Sequence, residues 1–374
     1  MIGFRRKYFT AFLLILLLAG TFFYSFLNRE NELPAIQRRF PVMGTICHFR
    51  LTGEAGTSAE KMKKAADAVQ DTFYRIEKIC NIFDEKSALS RINQVLENSL
   101  PAECPEEDLW KILLEARFFY RYTDGAFDVT IAPLMRLWGF HRKKAILPSP
   151  GEIAEAKKNT GLDKCIFDDT KRMISSRKGF SPRFDLGGIA KGYALDRAAA
   201  TAAEHGIRRG LLDLGGNLRT LELPPSGKKK NHIIGIRDPR GGHKSIEIIS
   251  MPNNMSMATS GNYERYVVID NIRYTHILDG RTGHPVSGML SVTVLTPEGV
   301  HSDALSTGIF ILGESFAEKV YKDFPGSSIL LFREEKGKLI RKSWGIFSIK
   351  KSQISHNFQK TGIFAMFEQE KIDF

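Results

Sequence analysis

The spacing of apolar residues changes along the chain, from helical spacing in the first half to the pattern of short strands in the second, and this change limits the possible folds. Apolar residues recur at helical spacing over 59–79 and again over 107–122. From 210 to 294 the pattern becomes a series of short strands, and an apolar helix returns at 302–312. Because helices and strands are partly segregated, the sequence predicts an α+β fold with mixed β-sheets and packed helices.

A long apolar run lies near the N-terminus. Residues 8–27 contain the stretch AFLLILLLAG, and Arg5, Arg6 and Lys7 precede the run. A helix of this length spans roughly the 30 Å hydrocarbon core of a bilayer, and the flanking charge favours a cytoplasmic N-terminus. The run predicts one N-terminal transmembrane helix, a signal anchor within residues 1–30, in the cytoplasmic (inner) membrane, with the rest of the chain on the periplasmic or extracytoplasmic side. A cleaved signal peptide is the alternative.

The composition is that of a globular protein with a basic surface. Hydrophobic residues make up 43% of the chain, and 54 Lys and Arg against 42 Asp and Glu leave a net charge of +12. The positive charges are scattered and form no stripe interleaved with aromatic residues, so no nucleic-acid partner is predicted. The cysteines form no CxxC pair and fit no zinc spacing, which predicts four small core residues: Cys47, Cys80, Cys104 and Cys165.

Two glycine-rich stretches are candidates for a ligand site. Residues 185–192 read DLGGIAKG and open an alanine-rich helix, so close backbone approach and free helix N–H groups suit a phosphate or pyrophosphate. A tight strand-to-helix turn is the alternative for this stretch. Residues 211–217 read LLDLGGN, in which a strand ends at a glycine pair; they can line a ligand pocket or form a hairpin turn.

Two further stretches carry polar side chains suited to phosphoryl chemistry. His276 and Asp279 lie close to a glycine-rich turn, where a histidine can act as a base or serve only as a structural hydrogen-bonding group. Asp303 and Thr307 share one face of a helix, and a carboxylate with a hydroxyl suits Mg²⁺ completed by waters and substrate phosphates. N-terminal capping by Ser302 or Asp303 is the alternative. Taken together, the four stretches fit an enzyme that cleaves a pyrophosphate with Mg²⁺.

Six motifs resemble the ApbE family in order and spacing. They are RRFPVMGT at 38–45, DGAFDVTIAPLMRLWGF at 124–140, DLGGIAKGYALD at 185–196, ATSGNYER at 258–265, HILDGRTGHPV at 276–286 and SDALSTGIFILG at 302–313. The resemblance implies one ApbE-like flavin transferase domain over 38–345, followed by a tail at 346–374 without an assigned role. The chain departs from the family at Gly280, where proline is usual, and this predicts a looser turn beside His276.

The resemblance also implies an activity and its partners. Members of the ApbE family bind FAD and, with Mg²⁺, transfer its FMN half to a threonine hydroxyl of a target protein, releasing AMP. Their targets include subunits of flavin-carrying redox complexes in the membrane and other exported flavoproteins. Two alternatives stay open for this chain: an FAD pyrophosphatase that yields FMN and AMP, and a non-catalytic exported FAD-binding protein.

The resemblance further implies roles for individual residues. His276 is the expected base for the target hydroxyl. The expected metal site combines three side chains with one backbone carbonyl: Asp303, Ser306, Thr307 and the carbonyl of Gly188. The expected FAD contacts are Met43, Phe83, Ala126, Phe127, Asp128, Asp185, Lys191 and Leu278.

Overall fold

The computed structural model describes residues 33–141, 147–222, 231–241 and 244–345. The α-helices in these ranges are α1 (Ala59–Cys80), α2 (Ala88–Glu97), α3 (Glu107–Tyr122), α4 (Ala132–Leu137), α5 (Pro150–Lys158), α6 (Ala190–Glu204), α7 (Gly299–Leu312) and α8 (Glu314–Asp323). The helices predicted over 59–79 and 107–122 are confirmed as α1 and α3. Helix α2 was not predicted.

The strands account for most of the second half of the chain. They are β1 (Ala35–Val42), β2 (Thr45–Thr52), β3 (Ala102–Glu103), β4 (Cys165–Asp168), β5 (Met173–Ser176), β6 (Arg209–Leu214), β7 (Asn217–Thr220), β8 (His232–Arg237), β9 (Ser245–Met251), β10 (Ser256–Gly261), β11 (Tyr266–Ile269), β12 (Ile272–Thr275), β13 (Leu278–Asp279), β14 (His284–Pro285), β15 (Met289–Thr296), β16 (Ser328–Glu335) and β17 (Lys338–Trp344). The predicted α+β class is therefore confirmed.

An eight-stranded sheet forms the centre of the fold, with the strand order β1-β2-β6-β7-β10-β15-β16-β17. Each neighbouring pair in it is antiparallel, so this sheet is not mixed as predicted. The alternation of residues in the sequence does not specify strand direction. Helix α7 packs on β10 and β15, and α6 packs between α1 and α7. The largest apolar cluster joins these helices to one face of the sheet.

The second face of the sheet is covered by the β8–β9 hairpin. Strand β16 contributes side chains to the apolar clusters on both faces of the sheet. Successive side chains of a strand point to opposite sides. Ile329 and Leu331 belong to the cluster under the helices, whereas Leu330 and Phe332 belong to the cluster under the hairpin. Burial on both faces explains why this part of the chain reads as a continuous apolar run.

Met43 and Gly44 form the turn between β1 and β2. Their φ angles are 52° and 67°, the left-handed values that a two-residue turn pairing Val42 with Thr45 requires. This conformation costs a non-glycine residue roughly 1–2 kcal/mol. The amide of Met43 donates to the carboxylate of Glu77 at 2.6 Å, which fastens the turn to α1. Strands β1 and β2 thus form a hairpin.

The four cysteines are buried, and none is paired. Burial raises the pKa of Cys80, Cys104 and Cys165 to about 12 and that of Cys47 still further, so these thiols stay protonated at neutral pH. Their predicted place in the core is confirmed.

Both ends of the chain lie outside the described residues. The predicted transmembrane helix within 1–30 and the tail at 346–374 therefore have no structural description here. Within the described ranges, none of the helices combines the length and the apolar character that crossing a bilayer requires.

Candidate functional site

Two glycines set the distance between the helices that carry the site. Gly192 lies in the first turn of α6 and packs against Gly299, the first residue of α7. A Cβ at Gly192 would overlap the carbonyl group of Gly299 and would lie 2.8 Å from the Cβ of Asp303. Because only glycine fits, the N-terminal ends of the two helices meet backbone to backbone. This contact brings the loop at 185–192 next to Asp303.

The carboxylate of Asp303 is held from two directions. Its Oδ2 accepts a hydrogen bond from the amide of Gly192 at 2.9 Å, and its Oδ1 accepts one from the side-chain amide of Asn217 at 2.9 Å. The Nζ of Lys191 lies 3.7 Å from Oδ1. These donors offset the cost of burying the charge of Asp303, and each oxygen keeps a lone pair for a cation.

Three hydroxyl groups lie beside Asp303. Ser306 and Thr307 donate to the carbonyl of Asp303 at 2.9 and 3.3 Å, and the hydroxyl of Ser260 lies 2.9 and 3.2 Å from theirs. A Cβ on Gly188 would lie 3.5 Å from Oγ1 of Thr307, so the glycine loop borders this cluster. The four residues predicted to bind metal therefore lie together, and Ser306 is the fully buried member.

The N-terminus of α7 is capped by a residue distant in sequence. The carboxylate of Asp196 in α6 accepts hydrogen bonds from the amides of Gly299 at 2.7 Å and Val300 at 2.9 Å. Because α7 begins at Gly299, Ser302 and Asp303 lie inside the helix, and the capping alternative for them is wrong. The carboxylate of Asp303 is consequently free to serve the site.

A second group of polar side chains lies at the start of the glycine loop. One oxygen of Asp185 accepts from the amide of Gly187 at 2.8 Å, and the other lies 2.9 Å from Nε2 of His141. Burial alone would raise the pKa of the Asp185 carboxyl, but the hydrogen bonds from His141 and Gly187 hold that pKa below its usual value. Asp185 is therefore an anion at neutral pH.

Phe83 stands in contact with the same histidine. Its ring is 65% exposed and meets the ring of His141 edge-on, with the centroids 5.3 Å apart. Both rings line a cavity of about 540 Å³, here called the Phe83 cavity, which Arg136 and Arg183 also line. Ligand pockets typically measure about 300–1,000 Å³, so this one can take a planar ring system. His141 contacts both Phe83 and Asp185, two residues that were predicted to bind FAD.

His276 follows β12, and a backbone carbonyl defines its tautomer. Its Nδ1 lies 2.9 Å from the carbonyl oxygen of Arg265, which can only accept, so Nδ1 carries the hydrogen and Nε2 carries the lone pair. Burial, aided by the charges of Arg265 and Lys191, lowers the pKa of His276 to about 4. The charge of Asp185 also acts on this pKa, so His276 shares the electrostatic environment of the glycine loop. The ring is neutral at pH 7 and can accept a proton.

The segment 126–128 lies against the glycine loop. Ala126 and Phe127 are buried, and a Cβ on Gly188 would lie 3.2 Å from the ring of Phe127. The carboxylate of Asp128 accepts from Thr130 through one oxygen and from the amide of Gly161 through the other. Asp128 therefore already has partners in the fold, and its contact with FAD stays a prediction.

Gly280 is tied to this segment. Its amide donates to the carbonyl of Ala126 at 3.2 Å, and a Cβ would lie 2.8 Å from both the Cβ of Asp128 and the carbonyl oxygen of Gly125. Proline could neither donate this bond nor fit without displacing its neighbours. Glycine thus anchors the turn, whereas the sequence predicted a looser one. Leu278, two residues earlier, is buried in a separate apolar cluster.

Besides His141, two side chains of the site had no role predicted from the sequence. Residues 211–217 form the β6–β7 hairpin, the structural alternative for that stretch, and the same hairpin directs Asn217 to Asp303. Ser260 lies in the ATSGNYER motif and meets Ser306, 46 residues further along the chain. Neither contact has a signal in local spacing, because each depends on the order of strands in the sheet.

The oxygen donors fit a hard divalent cation. In the described part of the chain, no three His, Cys, Asp or Glu side chains gather where they could hold a metal ion. One carboxylate, hydroxyl groups and a glycine carbonyl suit Mg²⁺, which keeps waters and takes phosphate oxygens from its substrate. Fold and site together place a glycine loop beside a cluster of hard oxygen donors, an arrangement that suits a phosphate-bearing ligand.

Comparison with known proteins gives the family. The model of the ApbE family matches residues 43–331, so the chain belongs to this family. It is similar to the FAD:protein FMN transferase of Haemophilus influenzae, with 30% identity over 319 residues that cover 84% of this chain and 91% of that protein. Its similarity to the FAD:protein FMN transferase of Treponema pallidum is 30% over 326 residues, covering 82% and 86%.

Two solved structures share the fold. The ApbE protein of Thermotoga maritima superposes with a TM-score of 0.72 at 35% identity, covering 83% of this chain and 97% of that one. The flavin transferase ApbE of Vibrio cholerae superposes with a TM-score of 0.71 at 26% identity and the same coverage. The predicted ApbE-like fold is therefore confirmed.

Proposed function

We propose that this chain is an FAD:protein FMN transferase that moves the FMN half of FAD to a threonine hydroxyl of an acceptor protein and releases AMP. Membership of the ApbE family and the names of its relatives support flavin transfer. The observation that carries the proposal is the convergence of Gly188, Asp303 and Thr307, which joins a pyrophosphate-binding loop to a set of cation ligands.

Asp303, Thr307 and the carbonyl of Gly188, with Ser306 adjacent, would hold Mg²⁺. When bound, Mg²⁺ would supply positive charge that offsets the negative charge of the pyrophosphate and of the departing AMP. Lys191 adds a positive charge 3.7 Å from Asp303, on the loop that would hold the pyrophosphate. Phosphoryl transfer depends mainly on positioning and charge stabilisation, and both come from this region.

His276 would act as the base for the acceptor hydroxyl. Its Nδ1–H is held by the carbonyl of Arg265, which leaves Nε2 to take the proton as the hydroxyl oxygen attacks phosphorus. A base already neutral at pH 7 needs no prior deprotonation. On the flavin side, Phe83 and the pair Asp185–His141 would orient the ring system, and Met43 lies at the β1–β2 turn.

The Asp303→Ala variant tests the site. We expect it to abolish Mg²⁺-dependent labelling of an acceptor protein, measured as a fluorescent flavin band that survives denaturing gel electrophoresis. Asp169→Ala is the matched control, because Asp169 is an exposed carboxylate with only a long ion pair to Arg117. Full labelling by Asp303→Ala would contradict the metal assignment.

The same assay separates the alternatives. Free FMN and AMP without a labelled band would indicate an FAD pyrophosphatase, in which water replaces the hydroxyl. Stable FAD with no turnover in Mg²⁺ would indicate a non-catalytic binding protein. Acceptors to test first are flavin-carrying subunits of membrane redox complexes, since the apolar run at 8–27 supports a single-pass anchor with the domain outside the cytoplasm.

A further inference from the structure

A second cavity, here called the hairpin cavity, lies between the β8–β9 hairpin and the central sheet. Its volume is about 120 Å³, and it shares no lining residue with the Phe83 cavity. Its floor is apolar, with Leu218 and Met257 from the sheet and Ile234 and Ile236 from the hairpin. The fold thus has two separate recesses, of which the Phe83 cavity suits the flavin.

The hairpin cavity adjoins the candidate metal site across one strand. Thr259 of β10 lines the cavity, and the next residue, Ser260, contacts the hydroxyls of Ser306 and Thr307. Successive residues of a strand point to opposite faces, so the two sites are back to back. Tyr263 and Glu264, which follow the last residue of β10, also line the cavity. The cavity therefore extends past the end of the strand that separates it from the candidate metal site.

The polar lining of the hairpin cavity has unused hydrogen-bonding capacity. In the described part of the structure, the hydroxyl of Tyr263 and the guanidinium of Arg237 make no hydrogen bond or ion pair, and Arg237 lies over the Tyr263 ring at 5.9 Å. A Cβ on Gly216 would meet nothing within 4 Å, so the backbone of the β6–β7 turn is open at this residue. Asp213 uses one carboxylate oxygen to accept from that glycine at 2.8 Å.

The mixture of charges selects the kind of occupant. The carboxyl groups of Asp213 and Glu264 disfavour binding of a phosphate group in this cavity, and the positive charge of Arg237 disfavours a simple cation. A neutral chain that offers both hydrogen-bond donors and acceptors meets all of these groups over an apolar floor. A polypeptide backbone has this character, because each residue contributes one N–H and one C=O.

We propose that the hairpin cavity binds the acceptor polypeptide beside its reactive threonine, so that the hydroxyl reaches the phosphate around the end of β10. This inference rests on the proposed transferase function. In-line displacement requires the attacking oxygen to arrive opposite the leaving group, so the acceptor needs an entrance other than the FAD side. The hydroxyl oxygen bonds to the FMN phosphorus, the phosphoanhydride bond breaks with its electrons leaving on AMP, and the proton passes to Nε2 of His276.

Two conservative variants test the inference in the full-length chain. Arg237→Gln and Tyr263→Phe each remove hydrogen-bonding capacity from the cavity lining. Arg240→Gln is the matched control, because Arg240 lies in the turn of the same hairpin, pairs with Asp238 and does not line the cavity. The probe is a set of short synthetic peptides with one central threonine, whose flanking residues vary in size and charge. FAD affinity, FAD hydrolysis without peptide and thermal unfolding are measured alongside.

We expect both cavity variants to raise the KM for peptide by roughly three- to tenfold, the effect of losing one hydrogen bond. Their FAD affinity, FAD hydrolysis and unfolding temperature should match those of the control. An unchanged peptide KM would overturn the inference, and so would parallel losses of FAD affinity and hydrolysis, which would assign the cavity to FAD. If the wild-type chain hydrolysed FAD but labelled no peptide, the transferase proposal itself would fail, and this inference with it.

Discussion

At the scale of single residues, the site depends on one carboxylate and on the groups that orient it. Asp303 sits in α7 with its two oxygens held by different elements, the amide of Gly192 in α6 and the side chain of Asn217 in β7. A lone buried carboxylate would otherwise rotate or take up a proton. Partners of this kind commonly change cation affinity about 10- to 100-fold when they are removed.

Asn217→Ala should therefore weaken divalent-cation binding. We expect Mn²⁺ affinity in the presence of FAD, followed by electron paramagnetic resonance, to fall roughly tenfold or more. Asn98→Ala is the control, since Asn98 caps the end of α2 and donates only to the carbonyl of Gln94. Equal Mn²⁺ affinity in the two variants would show that Asp303 needs no support from Asn217.

The pH dependence of transfer reports on His276. Its pKa is lowered from 6.5 to about 4, so the ring stays neutral at pH 5.5. We expect kcat/KM for transfer to be nearly the same at pH 5.5 and pH 7.5, whereas a histidine with an unperturbed pKa would lose about tenfold. A midpoint near pH 6.5 that disappears in His276→Gln would contradict the buried, neutral ring.

The same shift has a consequence for stability. Between pH 6.5 and about 4, the unfolded chain binds a proton at His276 that the folded chain does not. The free energy of unfolding should therefore fall as the pH is lowered through this window and should be insensitive to His276 above it. Denaturant titrations of the wild-type chain and of His276→Gln at several pH values measure the difference.

At the scale of elements, the contact between α6 and α7 decides where the site residues meet. Gly192→Ala would place a Cβ inside the carbonyl group of Gly299, a backbone atom that cannot rotate away. We expect the variant to lose about 3 kcal/mol or more of unfolding free energy and to bind FAD weakly, because the helices must separate. Chemical denaturation measures the loss.

Gly151→Ala provides the matched control for that substitution. Gly151 lies in α5, and an added Cβ would meet nothing within 4 Å. Alanine is the better helix former by about 1 kcal/mol, so this variant should be as stable as the wild type or more stable. Equal stability of Gly192→Ala and Gly151→Ala would contradict the close helix contact.

The bounds of individual helices could be predicted from the sequence with different accuracy. Helix α3 spans the predicted residues 107–122 because its apolar spacing is regular and complete. Helix α7 begins at Gly299, three residues before the prediction at 302, because its N-terminal amides are capped by Asp196 from another helix. Periodicity locates the middle of such a helix, but the contact that fixes its first residue lies about a hundred positions away.

At the scale of the whole molecule, the residues of the site come from widely separated parts of the chain. Gly188 and Asp303 belong to motifs that are recognisable in the sequence, so their convergence could be predicted. Asn217 and His141 could not, because their partners are 86 and 44 residues away and neither contact has a signal in local spacing. Alternation in a strand specifies which face is buried, but it does not specify which strand lies beside it.

The proposed anchor is also a property of the whole chain. We expect the full-length protein to remain with membranes after extraction with alkaline carbonate, because the apolar run at 8–27 is long enough to span a bilayer. A chain that begins at residue 31 should be soluble and should still bind FAD. A mature N-terminus located after the apolar run would contradict the anchor and support cleavage.

The proposed function requires that the glycine loop and the pair Asp303–Thr307 meet at one cation-bound dinucleotide. Crystals grown with FAD and Mn²⁺ and measured at the manganese absorption edge would locate both the cation and the phosphates. We expect one anomalous peak within bonding distance of Asp303 and Thr307, beside the Gly188 carbonyl and in contact with the FAD phosphates. Bound FAD whose phosphates lie away from this cluster, or manganese held by other residues, would contradict it.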